Sequence, residues 1–167
     1  MYETDSDLKR LQDLLDGSYQ ASGEHLRSIV TPERRMSAEE TVELLQGMKL
    51  LALATVTRDG KPLVGAVDGH FYRGQFWFGS SPDSVRFRHI RERPHVSATH
   101  TPSEQYSVSV HGTAEIVDLE SDELAEFRDY CVEIYGEEWN DWGRGAAYAR
   151  IDAERMFTFR FDAPEAD

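Results

Sequence analysis

Apolar residues recur along this chain with two periods, and the change from one to the other predicts the elements. Leu8, Leu11, Leu14 and Leu15 fall on one helical face, which predicts a short amphipathic helix near the start. Residues 17–32 are polar and punctuated by Gly17, Gly23 and Pro32, as a linker is. Residues 1–35 therefore read as a helical and linker extension, a mobile tail that packs on the surface or on a partner subunit. Ser37-Ala38-Glu39-Glu40 has the form of a capping box, in which Ser37 accepts from the third helical N–H and Glu40 reaches back. It predicts a helix with Val42, Leu45 and Met48 as its apolar stripe, ending near Gly47.

From residue 50 the period shortens towards two. Strands are expected at 50–57 and 62–68, joined by Arg58-Asp59-Gly60-Lys61, a turn sequence in which glycine takes the positive φ. Gly69 breaks the pattern, 70–72 resumes it, Arg73-Gly74 turns, and 75–78 is a further strand. Ser81 as N-cap with Pro82 in the first helical position opens a helix that must end before Pro94. Strands follow at 95–100 and 106–117, the second alternating serine with valine. Residues 122–135 are helical, with Leu124, Phe127, Cys131 and Ile134 on one face and Gly136 closing the end. The stretch 139–148 is irregular and aromatic. In 155–161, Met156, Thr158 and Arg160 alternate with Phe157, Phe159 and Phe161, the pattern of a last strand. Six hairpin-linked strands with a few helices predict a mainly β fold with α additions, a six-stranded antiparallel β-barrel. A length of 167 residues suits one domain. That domain is expected to span 36–162, with 163–167 as a C-terminal tail.

Charge narrows the partners. There are 31 acidic and 18 basic side chains, for a net −13. Sixteen of the acidic and five of the basic residues lie in 113–167, whereas 36–112 is balanced at eight of each. A chain this acidic repels nucleic-acid backbone and anionic lipid, so neither nucleic acid nor membrane is expected as a partner. No apolar run approaches the ~20 residues of a spanning helix. Cys131 is the single cysteine, which excludes an internal disulfide and any CxxC motif. The opening MYETDSDLKR lacks the basic-then-apolar pattern of a secretory leader, and a cytoplasmic protein is expected.

Within the neutral middle, Gly79-Ser80-Ser81-Pro82-Asp83-Ser84-Val85-Arg86 brings a strand end of small hydroxyl residues straight into a helix start. First-turn N–H groups and the helix dipole favour an anion there, and Arg86 adds a charged fork. A plain capped helix with a solvated arginine face is the competing reading, since Asp83 already suits the dipole. Five of the six histidines lie between 70 and 111, in no HExxH or HxH spacing, and no metal site is expected. Gly143-Arg144-Gly145 is not a dinucleotide fingerprint, and neither a GxxxxGK[ST] loop nor a GxSxG elbow occurs. Trp139, Trp142 and Tyr148 suit either closure over a flat ring or simple packing.

Taken in order, LALATVTRDGKPLVGAVDG, FWFGSSPDSVRFRHIRERPHVSATH and VSVHGTAEIVD resemble the pyridoxamine 5′-phosphate oxidase-like family of FMN-binding split barrels, over residues 36–162. The resemblance implies a six-stranded split barrel that forms a homodimer, with two FMN sites in the subunit interface. It implies that the flavin phosphate meets Gly79, Ser80, Ser81, Ser84 and Arg86, and that strand backbone over 64–68, including Val67 and Asp68, runs beside the isoalloxazine ring. Arg86 stands where lysine is common in the family, which keeps the charge and adds a planar fork. The C-terminal Arg/His substrate motif of pyridoxamine phosphate oxidase itself is absent from RMFTFRFDAPEAD. The expected function is thus an FMN-dependent oxidoreductase acting on an unidentified small molecule, the cofactor carrying the hydride chemistry. A non-catalytic FMN or haem carrier, or a deazaflavin-dependent reductase, are the alternatives.

Overall fold

The computed structural model describes residues 2–161, so the expected tail at 163–167 lies outside the described residues. Among those described, six strands close into a barrel: β1 (Lys49–Val56), β2 (Pro62–Tyr72), β3 (Gln75–Ser80), β4 (His95–Ser103), β5 (Tyr106–Val117) and β6 (Ala147–Arg160). The order around the barrel is β1-β2-β3-β6-β5-β4, with β4 paired back onto β1 and every pairing antiparallel. Closure removes free sheet edges. Alternate residues point inward, so Leu51, Leu53, Val67, Phe71, Phe76, Phe78, Val108, Val110 and Ile151 share one core.

Two turns set the first hairpins. Gly60 takes φ +80° where the Thr57 N–H donates to the Lys61 carbonyl at 2.9 Å. Arg73 and Gly74 both have positive φ, the geometry whose twist matches that of the flanking strands. Gly69, expected as a break, lies inside an unbroken β2 opposite Lys49 and Phe78. Glycine is there because a Cβ would stand 2.3 Å from Leu51 Cδ1 in the filled interior.

The last strand is twice the expected length. His111 pairs with Arg155 but Gly112 pairs with Ala153, leaving Glu154 as an extra residue. A period-two reading does not cross such a bulge, because the inward phase changes there. Ala149 and Ile151 face the core before it, and Met156 and Thr158 after it.

The capping box is formed as expected: Ser37 Oγ accepts from the Glu40 N–H and the Glu40 carboxylate accepts from the Ser37 N–H, opening α3 (Ala38–Leu44). The first residues depart from the tail reading. Helix α1 (Asp5–Gln20) runs through Gly17 and packs on β6, burying Leu11 and Leu15 in the barrel core. The Met156 N–H donates to Ser18 Oγ, and the Ala38 N–H to Gln12 Oε1, both at 2.9 Å. Helix α2 (Glu24–Ile29) occupies part of the expected linker.

A second layer lies outside the barrel. After a 3-10 turn at Asp122–Leu124, helices α5 (Ala125–Tyr135) and α6 (Trp139–Trp142) cover the outer face of β2, β3 and β6. Tyr72, Trp77 and Tyr148 project from those strands against Phe127, Tyr130, Cys131 and Trp139. Trp77 and Phe127 stack with ring centroids 4.3 Å apart. This explains why Phe76-Trp77-Phe78 is an unbroken apolar run: β3 is buried on both faces.

Candidate cofactor site

The strand-to-helix segment after β3 forms the site, with one shift from expectation. Helix α4 spans Val85–Glu92, and its cap is Ser84, whose Oγ accepts from the Phe87 N–H; Ser81 lies three residues earlier and receives the Ser84 N–H on its carbonyl. Phe87 and Ile90 are fixed in the core, so the helix must begin where its buried face begins. Proline at 82 then stiffens the turn instead of the first helical position.

Arg86, in the first turn of α4, bridges two strands. Its Nη2 donates to the Ala66 carbonyl at 2.9 Å and its Nη1 to Ser80 Oγ at 3.3 Å. Gly65 lies beside it: a Cβ there would sit 3.4 Å from Arg86 Nη2, an ordinary van der Waals contact. The guanidinium is half-buried and keeps further N–H donors for an anion. Together with Ser80, Ser81 and the open end of α4 it forms a donor set suited to a phosphate.

Beside this cradle is a cavity of about 250 Å³, lined by Asp68, Gly79, Ser80 and Ser81 together with His70, Tyr135, Trp142, Ala146 and Tyr148. Four of the residues assigned to the cofactor from the sequence thus share one wall, with Trp142 and Tyr148 of the aromatic stretch beside them, and Arg86 joins through Ser80. Val67 does not: its side chain is buried in the barrel core, leaving only its backbone towards the outside. Ser84 is occupied as the helix cap. Gly79 is required by its neighbour, since a Cβ would stand 2.8 Å from the Tyr148 ring. Tyr148 is itself pinned by the Trp139 indole N–H, which donates to its hydroxyl at 3.0 Å. Trp139 is packing, whereas Trp142 is 53% exposed at the cavity rim.

Sequence reasoning missed His70 and Tyr135. His70 is two residues beyond Asp68 on β2 and so shares its outward face, which period two alone shows. It is 2% exposed, enclosed edge-on by Phe127, Tyr130 and Tyr135, and its Nε2 lies 3.2 Å from Tyr135 Oη. Nδ1 is buried with no hydrogen-bond partner among the described residues. Burial pushes the imidazole pKa down to about 4, so it is neutral at pH 7. Burial raises the Tyr135 and Tyr148 phenols, and the negative charge of Asp68 adds to both shifts. Burial also pushes Cys131 up to about 12, which makes it an inert packing thiol.

The outer face of β1, β2 and β4 is different in kind. Leu50 is 58% and Val64 64% exposed, around a shallow hollow of about 390 Å³ that Ala52, Ala66, Thr99 and Thr101 help to line. It adjoins the cradle through Gly65 and Ala66.

A closed antiparallel six-stranded barrel with helices added outside it is the architecture of the split-barrel class. The family described as Pyridoxamine 5′-phosphate oxidase matches residues 37–163, and the chain belongs to it. No curated protein matches the chain by sequence. Among solved structures, it is similar to a conserved hypothetical protein, Rv2991, from Mycobacterium tuberculosis (22% identity, 82% of this chain and 96% of that one, TM-score 0.64). It is also similar to HutZ, the heme storage protein from Vibrio cholerae (21%, 72% and 93%, TM-score 0.61). A FAD-binding protein from Mesorhizobium loti is a third (21%, 77% and 98%, TM-score 0.59). At these identities the likeness is one of fold. No helix among the described residues is long and apolar enough to cross a membrane.

Proposed function

We propose that this chain is an FMN-dependent oxidoreductase that works as a homodimer, with the flavin phosphate held by Ser80, Ser81, Ser84 and Arg86. The observation that carries the reading is Arg86 bridging Ala66 and Ser80 at the start of α4, a fixed cation in an otherwise acidic protein. The donor set fits a phosphomonoester, because Arg86 supplies a charged fork, Ser80 and Ser81 supply neutral donors, and Ser84, whose Oγ accepts from the Phe87 N–H as the helix cap, still has its O–H to donate. When bound, FMN would supply hydride and electron transfer. The protein's part is to fix the phosphate, to lay the backbone of Val67 and Asp68 along the ring, and to leave the neighbouring cavity open. The bare face around Leu50 and Val64 supports a second copy as cover, since a contiguous apolar patch beside a ligand groove marks an interface. A dimer across that face would also close the site from the far side.

The test is the visible spectrum of the protein after FMN is added and excess removed. A two-banded flavin spectrum at one equivalent per subunit is the expected result. Arg86→Ala should weaken FMN by roughly tenfold or more, the scale of a lost charge-assisted pair. Unchanged affinity would remove Arg86 from the site. A Soret band in the purified protein would replace the flavin by haem. Anaerobic NADH or NADPH that bleaches the flavin reversibly supports a reductase; no reduction by either donor favours a carrier.

A further inference from the structure

We propose that the cavity between Asp68 and Trp142 is a subsite for a planar, ring-sized molecule that is uncharged or cationic, and that Asp68 is the residue excluding anionic ones. That this molecule is the redox partner of a flavin rests on the function proposed above; its charge preference rests on the cavity alone.

The lining contains one carboxylate, Asp68, and neither lysine nor arginine. His70 adds no positive charge at pH 7, because burial keeps it neutral. Arg86 is not among the lining residues: its guanidinium is tied to Ser80 Oγ and to the carbonyl of Ala66, two residues before Asp68 on the same strand face. Ser80 and Ser81 are shared by the Arg86 cradle, suited to an anion, and the cavity, whose charged lining residue is Asp68. Aromatic rings line the cavity, with Tyr148 packed against Gly79 and the Trp142 indole open at the rim. Their faces carry the negative end of the ring quadrupole, which also favours a cation over an anion.

The Tyr135–His70 pair adds a directed donor. If Nδ1 carried the imidazole proton, a buried N–H would be left with no acceptor, whereas a bare Nδ1 lone pair is the cheaper orphan. The proton therefore belongs on Nε2, which donates to Tyr135 Oη. The Tyr135 O–H is then free to donate into the cavity. A ligand that fits presents an acceptor to Tyr135 and a donor or positive charge to Asp68. A cavity of ~150 Å³ takes benzene, so about 250 Å³ holds a ring with one substituent.

Benzamidine, benzamide and benzoate share a ring and differ in charge, and they serve as probes. Each is titrated calorimetrically into the protein with and without FMN, with tryptophan fluorescence as the site report. Benzamide and benzamidine should bind saturably, benzoate roughly tenfold or more weaker. Asp68→Asn should weaken benzamidine and bring benzoate level with benzamide. Trp142→Phe should remove the fluorescence response while calorimetric binding persists. Benzoate binding as tightly as benzamide, an Asp68→Asn protein with the ranking unchanged, or no saturable binding of the first two probes would each overturn the proposal. A protein that fails to hold FMN yet keeps the charge ranking overturns the flavin reading alone. One that holds FMN without the ranking overturns the subsite alone. Asp68 is exposed on its strand, so Asp68→Asn should fold as the parent does, which circular dichroism checks.

Discussion

The barrel has two outer faces, and they have been treated in opposite ways. Over β2, β3 and β6, helices α5 and α6 lay down a layer of stacked aromatics that buries Tyr72, Trp77, Phe127, Trp139 and Tyr148. Over β1, β2 and β4 the described residues leave Leu50 and Val64 uncovered. The cradle and cavity lie on β2 and β3 between the two faces. The covered face packs the site's side chains tightly, at the cost of burying polar atoms such as His70 Nδ1 and Tyr130 Oη without hydrogen-bond partners among the described residues. The bare face does the reverse: it leaves apolar surface exposed among the described residues, and it is the face on which the proposed dimer would form. A site at such a boundary has one fixed wall, and in the proposed dimer the second copy would supply the other.

The comparison breaks most sharply at Phe127. Truncating Phe127→Ala removes the stack on Trp77 and opens the covered layer, so unfolding in urea should show a loss of about 3–5 kcal/mol. A loss below about 1 kcal/mol, the range of ordinary surface substitutions, would mean that the layer adds little to the barrel.

Acid should attack the same layer next. The folded His70 pKa of about 4 lies below its ordinary 6.5, so the unfolded chain takes up that proton first as pH falls. The native state is favoured fully above about pH 6.5, and this advantage drains away down to about pH 4, by about 3 kcal/mol in all. His70→Gln should lose that part of the pH slope. Parallel stability profiles of the two proteins between pH 7 and 4 would show that solvent reaches the imidazole.

On the bare face the expected energetic effect within a chain is small and the effect on assembly is large. Val64→Asp should change the unfolding free energy of the separated chain by no more than about 0.5 kcal/mol, because the side chain is already in water. Light scattering should nevertheless show the mass falling from dimer to monomer. An unchanged dimer would place the interface elsewhere, and a monomeric parent would remove the dimer reading with it.

Local signals were legible wherever the deciding chemistry is local. The Ser37/Glu40 box, the Gly60 turn and the serine/valine alternation of β5 all stand as their sequences imply. The hydroxyl loop and Arg86 were visible because strand end, turn and helix start are consecutive. The cap moved from Ser81 to Ser84, however, because burial of Phe87 and Ile90 decides where the helix begins. The bulge at Glu154 hid half of β6, since the period on which strand reading depends changes phase there.

Spacing within a few residues is enough to specify the set of elements, the antiparallel barrel and the basic turn after β3. The three-dimensional packing is what puts α1 in the core, where Leu11 and Leu15 find β6 more than a hundred residues away. It alone brought Tyr135 to His70, 65 residues apart, and closed the cavity between Asp68 and Trp142. The physical reason is that periodicity reports which face of an element is apolar, but not which other element will cover it.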